Sequence, residues 1–445
     1  MISDDVAFWK NAMASGSSNG PMVSRILLNR AGHGLLLAVS TVVVVIAMTT
    51  VIPPFAMWMI ALRIIATEGG TWLLVVAGLV LILTLIPSVH RRLRLVSAIQ
   101  SGIASILVMI PLSSISRTIR SVDAEFDRAL GSEWLARLPS TQLGSMRTTP
   151  FSVRDSLLGI PDDAVTETSL AVPSADGLTL AAMRYGEVHP GKLRPLVVVI
   201  HGGGWHGGSI DEGASCHRYL AAHGYLVYAI DYRFVPTTRF PGQLHDVQVA
   251  LAWITAHAAE SGGDPARIVL MGRSAGAQLA LLAAYAGQKP VICAIVSWYG
   301  PTDLASGYRE PPRPDPLDVR TLIGDYLGVG PDDEPARYAH ASPITYATHP
   351  LPPTLLIAGG SDHGVRVIFQ RQMRDRLAMM GTRVALLELP WAEHAFDRLA
   401  NGPGAQVSLY YLERFLAWST TGRMASSKSP HFGSPNPSAA DGTTP

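Results

Sequence analysis

The chain has 445 residues, of which 48% are hydrophobic and only 16% charged, with a net charge of +1. That balance excludes a nucleic-acid-binding surface, which needs a basic excess. The two cysteines, Cys216 and Cys293, lie in apolar segments and argue against a disulfide framework or a cysteine-ligated zinc site.

The length fits two or three domains. Residues 1–33 read as a loose polar tail. Residues 34–52, "GLLLAVSTVVVVIAMTTVI", and 71–89, "TWLLVVAGLVLILTLIPSV", carry no charge. As helices each is roughly 28 Å long, close to the ~30 Å core of a bilayer. The first run starts too far from Met1, and is too long, for a cleavable signal. A third uncharged run, 95–116, repeats Ser97, Ser101 and Ser105 along one face, with Ile99, Ile103, Ile106 and Ile110 mostly on the other. It either spans, with the serine face packed on the first two helices, or lies in the membrane surface. Residues 34–116 are thus expected to form a membrane region of two or three helices. Arg25 and Arg30 precede it, and Arg91, Arg92 and Arg94 follow its second run. The positive-inside rule puts both clusters in the cytoplasm. The rest of the chain is then outside if the third run spans, which is the preferred reading.

Residues 117–164 look like a connector or partial cap. From 165 to 420, short apolar runs alternate with helical ones. Strands are expected at 178–186, 195–204, 226–232, 267–272, 291–300, 353–360 and 383–390. Helices are expected at 243–259, 275–285, 365–380 and 404–418. Strands apolar on both faces, alternating with helices, imply a mostly parallel sheet flanked by helices. Residues 421–445 hold too few large apolar side chains to bury a core and are expected to be disordered.

Chemistry in such a sheet sits where strands end. Gly272-Arg273-Ser274-Ala275-Gly276 fits G-x-S-x-G between a strand and a helix. That is the setting of a nucleophile elbow, though serine could simply cap the helix there. A serine nucleophile needs a base and donors for the oxyanion it creates. "HGGGWHGG", 201–208, follows a strand and offers free N–H groups. Gly202, Gly203 and Ala275 are the expected oxyanion hole. No Lys-Ser or Lys-Thr pair follows the glycines, which argues against a phosphate loop. Of the 14 histidines, His394 sits after the last strand and is the expected base, with His363, His349 and His257 as alternatives. Asp362 is the expected acid and Asp303 its rival, on the chain order serine, acid, histidine. Asp397 and Glu388 read as surface or packing residues, and Asp231, Arg233 and Asp246 as loop-fixing ones. Trp205, Trp298 and Tyr299 either line an acyl pocket or pack the core. Residues 303–345 are long enough for a lid.

The ordered set "HGGGW", "AIDYR", "GGDPARI", "GRSAG", "YGPTDL", "GSDHGV" and "EHAF" resembles α/β-hydrolase carboxylesterases of the hormone-sensitive-lipase-like group. The wording is also similar to membrane-bound prenylcysteine methylesterases and to bacterial membrane-associated esterases. The resemblance implies the α/β-hydrolase fold and a carboxylic ester hydrolase, with Ser274, Asp362 and His394 as its triad. It departs in reading G-G-G-W where many members have G-G-G-F, and in the helices at its N-terminus. The implied partners are a lipophilic ester and membrane lipid, with no metal or organic cofactor. An amidase such as a formamidase, an acyltransferase, or an inactive binding protein would share the fold.

Overall fold

The computed structural model describes residues 20–86, 91–161, 164–189, 191, 193–286 and 292–421, with side chains from Gly34 onward. Residues 1–19 of the expected tail 1–33, residues 422–445 of the expected tail 421–445, and the end of the second apolar run at 87–89 lie outside the described residues, whereas residues 20–33 belong to a helix rather than to a loose tail.

Four helices come first: α1 (Gly20–Met48), α2 (Met57–Glu68), α3 (Gly70–Thr84) and α4 (Arg91–Leu130). α1 and α3 pack along α4. The seam is made of Val43, Ala47, Ala77, Ala104 and Val108. Small residues there let the backbones approach. Ser97 and Ser101 are buried and Ile99, Ile103, Ile106 and Ile110 exposed, so the serine face of the third run turns inward. Ser40 Oγ adds a hydrogen bond to Gln100 Oε1 at 2.7 Å. α4 is long and apolar enough to cross a membrane. α2 and α3 meet the same test only together, bent by 76°, and the apolar part of α1, Gly34–Met48, is shorter.

α4 does not stop at the expected boundary of 116. Its second half carries Ile115, Val122, Phe126 and Leu130 into the core of the body that follows. Short helices α5 (Ser140–Leu143) and α6 (Val153–Leu158) lead into the sheet.

The body alternates β1 (Glu167–Pro173), β2 (Thr179–Tyr185), β3 (Arg194–Ile200), α7 (Ala214–Ala222), β4 (Leu226–Ile230), α8 (Gly242–His257), β5 (Gly263–Arg273), α9 (Ala275–Tyr285) and β6 (Ile292–Trp298). Then come α10 (Leu304–Arg309), α11 (Val319–Leu327), α12 (Pro335–Ala341), β7 (Thr354–Gly359), α13 (Val367–Met379), β8 (Val384–Leu389) and α14 (Pro403–Thr421). The eight strands run in the order β1-β2-β4-β3-β5-β6-β7-β8. β1 and β2 pair antiparallel, β2 pairs antiparallel with β4, and every later pairing is parallel. The sequence pattern does not mark β1, whose "ETSLAVP" mixes polar and apolar residues because it is a half-exposed edge strand.

Two-sided burial follows the strand period of two. Leu196, Val198 and Ile200 of β3 face one core cluster with α8, α9 and α13, while Val197 and Val199 face the other with α7 and α14. β8 is the far edge, and α4 covers it: Glu125 accepts the N–H of Leu386 at 3.0 Å. An uncovered edge would invite pairing with another chain.

Candidate active site

The parallel strands bring their C-terminal ends together, and the expected site residues sit there. Ser274 occupies the turn from β5 to α9 at φ 51° and ψ −121°. That backbone is strained for any residue but glycine, and it persists because its surroundings hold it. A Cβ at Gly276 would overlap the carbonyls of Ile200 and His201, and one at Gly272 the carbonyl of Gly276. The two glycines of the motif are therefore required by the close passage of the elbow over β3.

Ser274 Oγ lies 2.9 Å from His394 Nε2. His394 Nδ1 is 2.9 and 3.0 Å from the two oxygens of Asp362. Asp362 is nearly buried, and its Oδ1 also accepts the N–H groups of Gly364 (2.6 Å) and Val365 (2.7 Å). Those bonds aim the carboxylate at the imidazole. Gly364 itself must be glycine, since a Cβ would come within 2.9 Å of the His394 ring. Burial opposes the charged form of His394, but the Asp362 carboxylate, aided by Glu393 and Glu212, outweighs it and raises the histidine above its usual pKa.

The rival residues go elsewhere. Asp303 caps α10, accepting the Ser306 N–H at 2.9 Å. His363 Nδ1 is held by Glu393 at 2.8 Å, His257 Nδ1 by the Trp253 carbonyl at 2.8 Å, and His349 lies exposed beside Thr348. Asp231 holds His201 Nε2 at 3.0 Å, and Asp246 takes two bonds from the Arg233 guanidinium, so these charges fix loops as expected. Asp397 is a half-buried partner of the buried Arg273 (2.6 Å), the residue before the nucleophile. It also accepts from the Tyr299 hydroxyl. Tyr299 in turn packs edge-on against His394, ring centroids 4.7 Å apart. Elbow and histidine loop are thereby locked to each other.

The glycine loop requires a correction. The N–H of Gly202 is already spent on the Glu212 carboxylate at 2.5 Å, and Gly202 does not line the cavity over Ser274. Gly203 and Gly204 do, together with Ala275. Gly203 at φ 107° has no room for a Cβ, which would overlap the Gly207 carbonyl. A run of three glycines gives no side-chain pattern from which to read which of their N–H groups is captured. Trp205 lies at the end of the run and stacks flat on Tyr326 of α11 (4.1 Å, 4°), with Nε1 bonded to Gln278. It ties the loop to the cover formed by α10 to α12.

The cavity has a volume of about 590 Å³ and is lined largely by apolar side chains. Ser274, His394, Gly203 and Gly204 form its floor, and Leu317, Leu322 and Ile323 line its cover. Tyr299 and Trp205 line it too, whereas Trp298 does not. One wall is unexpected: Met57, Ile60, Ala61 and Ile64 of α2. Glu393 is a further site residue that no sequence motif marks by itself. This buried carboxylate accepts the backbone N–H of His394 (2.9 Å) and of His363 (2.6 Å) and pairs with Arg63 of α2 at 3.3 Å. Its position beside His394 in "EHAF" was the only available signal. Among the described residues no group of His, Cys, Asp or Glu could hold a metal ion.

The family described as BD-FAE matches residues 185–377. Esterase LipC of Mycobacterium tuberculosis is 32% identical over 242 residues, 51% of this chain and 59% of that protein. Probable carboxylic ester hydrolase LipM of the same organism is 31% identical over 236 residues, 50% of this chain and 54% of that protein. The chain thus spans little more than half the length of these relatives. Among solved structures, a bacterial heroin esterase superposes with a TM-score of 0.51 at 24% identity, covering 64% of this chain and 93% of that one. The Pyrobaculum calidifontis esterase gives 0.50 at 20% identity, covering 69% and 93%. The chain has the α/β-hydrolase fold.

Proposed function

We propose that the chain is a membrane-anchored serine hydrolase that cleaves carboxylic esters of lipophilic substrates. One observation carries this reading: Ser274, His394 and Asp362 form a continuous hydrogen-bonded line at the floor of an apolar cavity. The esterase relatives support the choice of ester over amide.

His394 takes the proton of Ser274 Oγ as the oxygen attacks the carbonyl carbon. Asp362 holds the imidazole in the tautomer that accepts at Nε2 and stabilises the imidazolium. The tetrahedral oxyanion is met by the N–H groups of Gly203, Gly204 and Ala275, the last at the start of α9, where backbone donors lack intrahelical partners. His394 then protonates the leaving alcohol. Water, deprotonated by the same histidine, attacks the acyl-enzyme, and the acid leaves as Ser274 regains its proton.

The anchor in this reading is α1, α3 and the first half of α4, with α2 between them on the body side. The basic residues Arg91, Arg92 and Arg94 mark the far end of the bundle. With that end cytoplasmic, α4 carries the chain across, and the catalytic body lies outside. A reporter enzyme fused after Arg120 reads the side directly. Purified full-length protein in detergent should hydrolyse p-nitrophenyl esters and be labelled by an organophosphonate. Ser274→Ala should lose both while remaining folded, and undiminished labelling of that variant would sink the assignment. Amides and alcohol acceptors assayed beside the esters separate hydrolysis of esters from amidase and acyltransferase activity.

A further inference from the structure

α2 lies in the N-terminal region, well before the first strand of the body, yet it closes one side of the cavity through Met57, Ile60, Ala61 and Ile64. It is fixed there. Arg63 Nε pairs with Glu393, and Glu68 accepts Trp391 Nε1 at 3.1 Å and the Gly404 N–H at 2.7 Å. These partners lie in the loop that carries His394 and at the start of α14, so the wall and the catalytic base share one frame.

The start of α2 is open to its surroundings away from the cavity: Phe55 just before it and Trp58 in its first turn are each more than half exposed, as is Trp72 at the start of α3, while Met57, also more than half exposed, stands at the edge of the cavity wall. Aromatic side chains in that position favour the boundary between lipid and water. α2 meets α3 at 76° across the single residue Gly69. If α3 stands along the membrane normal, α2 lies close to the membrane plane, as an interfacial helix does. The exposed aromatic residues sit at the body end of the bundle, and the arginines that follow α3 sit at the other.

The geometry points to a lateral entrance: an acyl or alkyl chain passes from the outer half of the bilayer between α2 and the cover helices to Ser274. α2 is then the wall that selects chain length, and the substrate class is an ester dissolved in the bilayer through a long hydrocarbon chain. The ester rests on the reading of Ser274 given above, whereas the wall and the entrance do not.

The test uses full-length protein in phosphatidylcholine vesicles and two alkyl fluorophosphonates, one ethyl and one dodecyl. Ser274 Oγ attacks phosphorus and fluoride leaves, so labelling reports access without ester turnover. Ala61→Trp should lower the dodecyl-to-ethyl ratio of labelling rates by about ten-fold or more, and Ile64→Ala should shift that ratio by about three-fold. A ratio that stays at the wild-type value in Ile64→Ala overturns the wall, even if Ala61→Trp fails to fold. For the entrance, Trp58→Cys carrying a bimane dye should be quenched by brominated phosphatidylcholine, and unquenched emission overturns it. Wild-type protein that labels but hydrolyses no ester sinks the esterase reading and leaves both tests of α2 intact.

Discussion

In β3, Leu196, Val197, Val198, Val199 and Ile200 are buried on both faces of the sheet, whereas in the first half of α4, Ile106 is 69% exposed and Ile99, Ile103 and Ile110 are exposed beside it. The residue types are the same and their fates are opposite. The body covers its sheet with helices on each side, as parallel strands require. The N-terminal bundle instead turns its serines inward and its large aliphatics outward. That inversion supports the membrane anchor proposed above, since in lipid association depends on close packing rather than on hiding apolar surface from water. The two regions meet at the second half of α4 and at α2, and α2 joins the histidine loop through Arg63 and Glu393 while Trp58 in its first turn is exposed.

In the proposed function the body carries the chemistry and the bundle its placement, so substitutions in the body should cost catalysis and those in the bundle stability or access. The sharpest break is Ser274→Ala, which should reduce kcat by about 10⁶-fold, the scale of losing the nucleophile of such a triad. Burst-free kinetics with p-nitrophenyl butyrate check it. Asp362→Asn should cost about 10⁴-fold in kcat, because the imidazole loses its orientation and tautomer. The same variant sets the pH dependence. The Asp362 carboxylate helps raise His394, and the base works only when neutral, so activity falls as pH drops through the histidine's pKa. Removing the charge should move that acidic limb of the kcat/KM profile to lower pH, and a limb that stays put would show that another group controls it. Gly203→Ala keeps its N–H, but a Cβ overlapping the Gly207 carbonyl must displace that donor, so kcat should fall about 10²- to 10³-fold while the protein, checked by its Tm, stays folded.

The smallest effect is expected from the bundle. Arg63→Met leaves the buried Glu393 carboxylate without its cation and should cost about 3 kcal/mol of stability. The expected result is a lower Tm with organophosphonate labelling retained at low temperature. If labelling vanished while Tm stayed unchanged, the division of labour between bundle and body would be wrong.

Strand alternation, apolar length and the glycine corner at 272–276 are local features, and local physics makes them readable: period, chain stiffness and the steric need for glycine are written residue by residue. The order serine, acid, histidine let Asp362 be preferred to Asp303 because each sits at a recognisable strand end. What the sequence could not express was distance in space. The half-exposed β1 lacks an apolar run, and the choice between Gly202 and Gly204 depends on which N–H Glu212 captures. The continuation of α4 onto the edge of the sheet, the Arg63 and Glu393 pair, and α2 as a wall of the cavity all join residues far apart in the chain. Those contacts exist only once the body and the bundle have packed, because a buried charge finds its partner, and an apolar cavity its last wall, through tertiary structure alone.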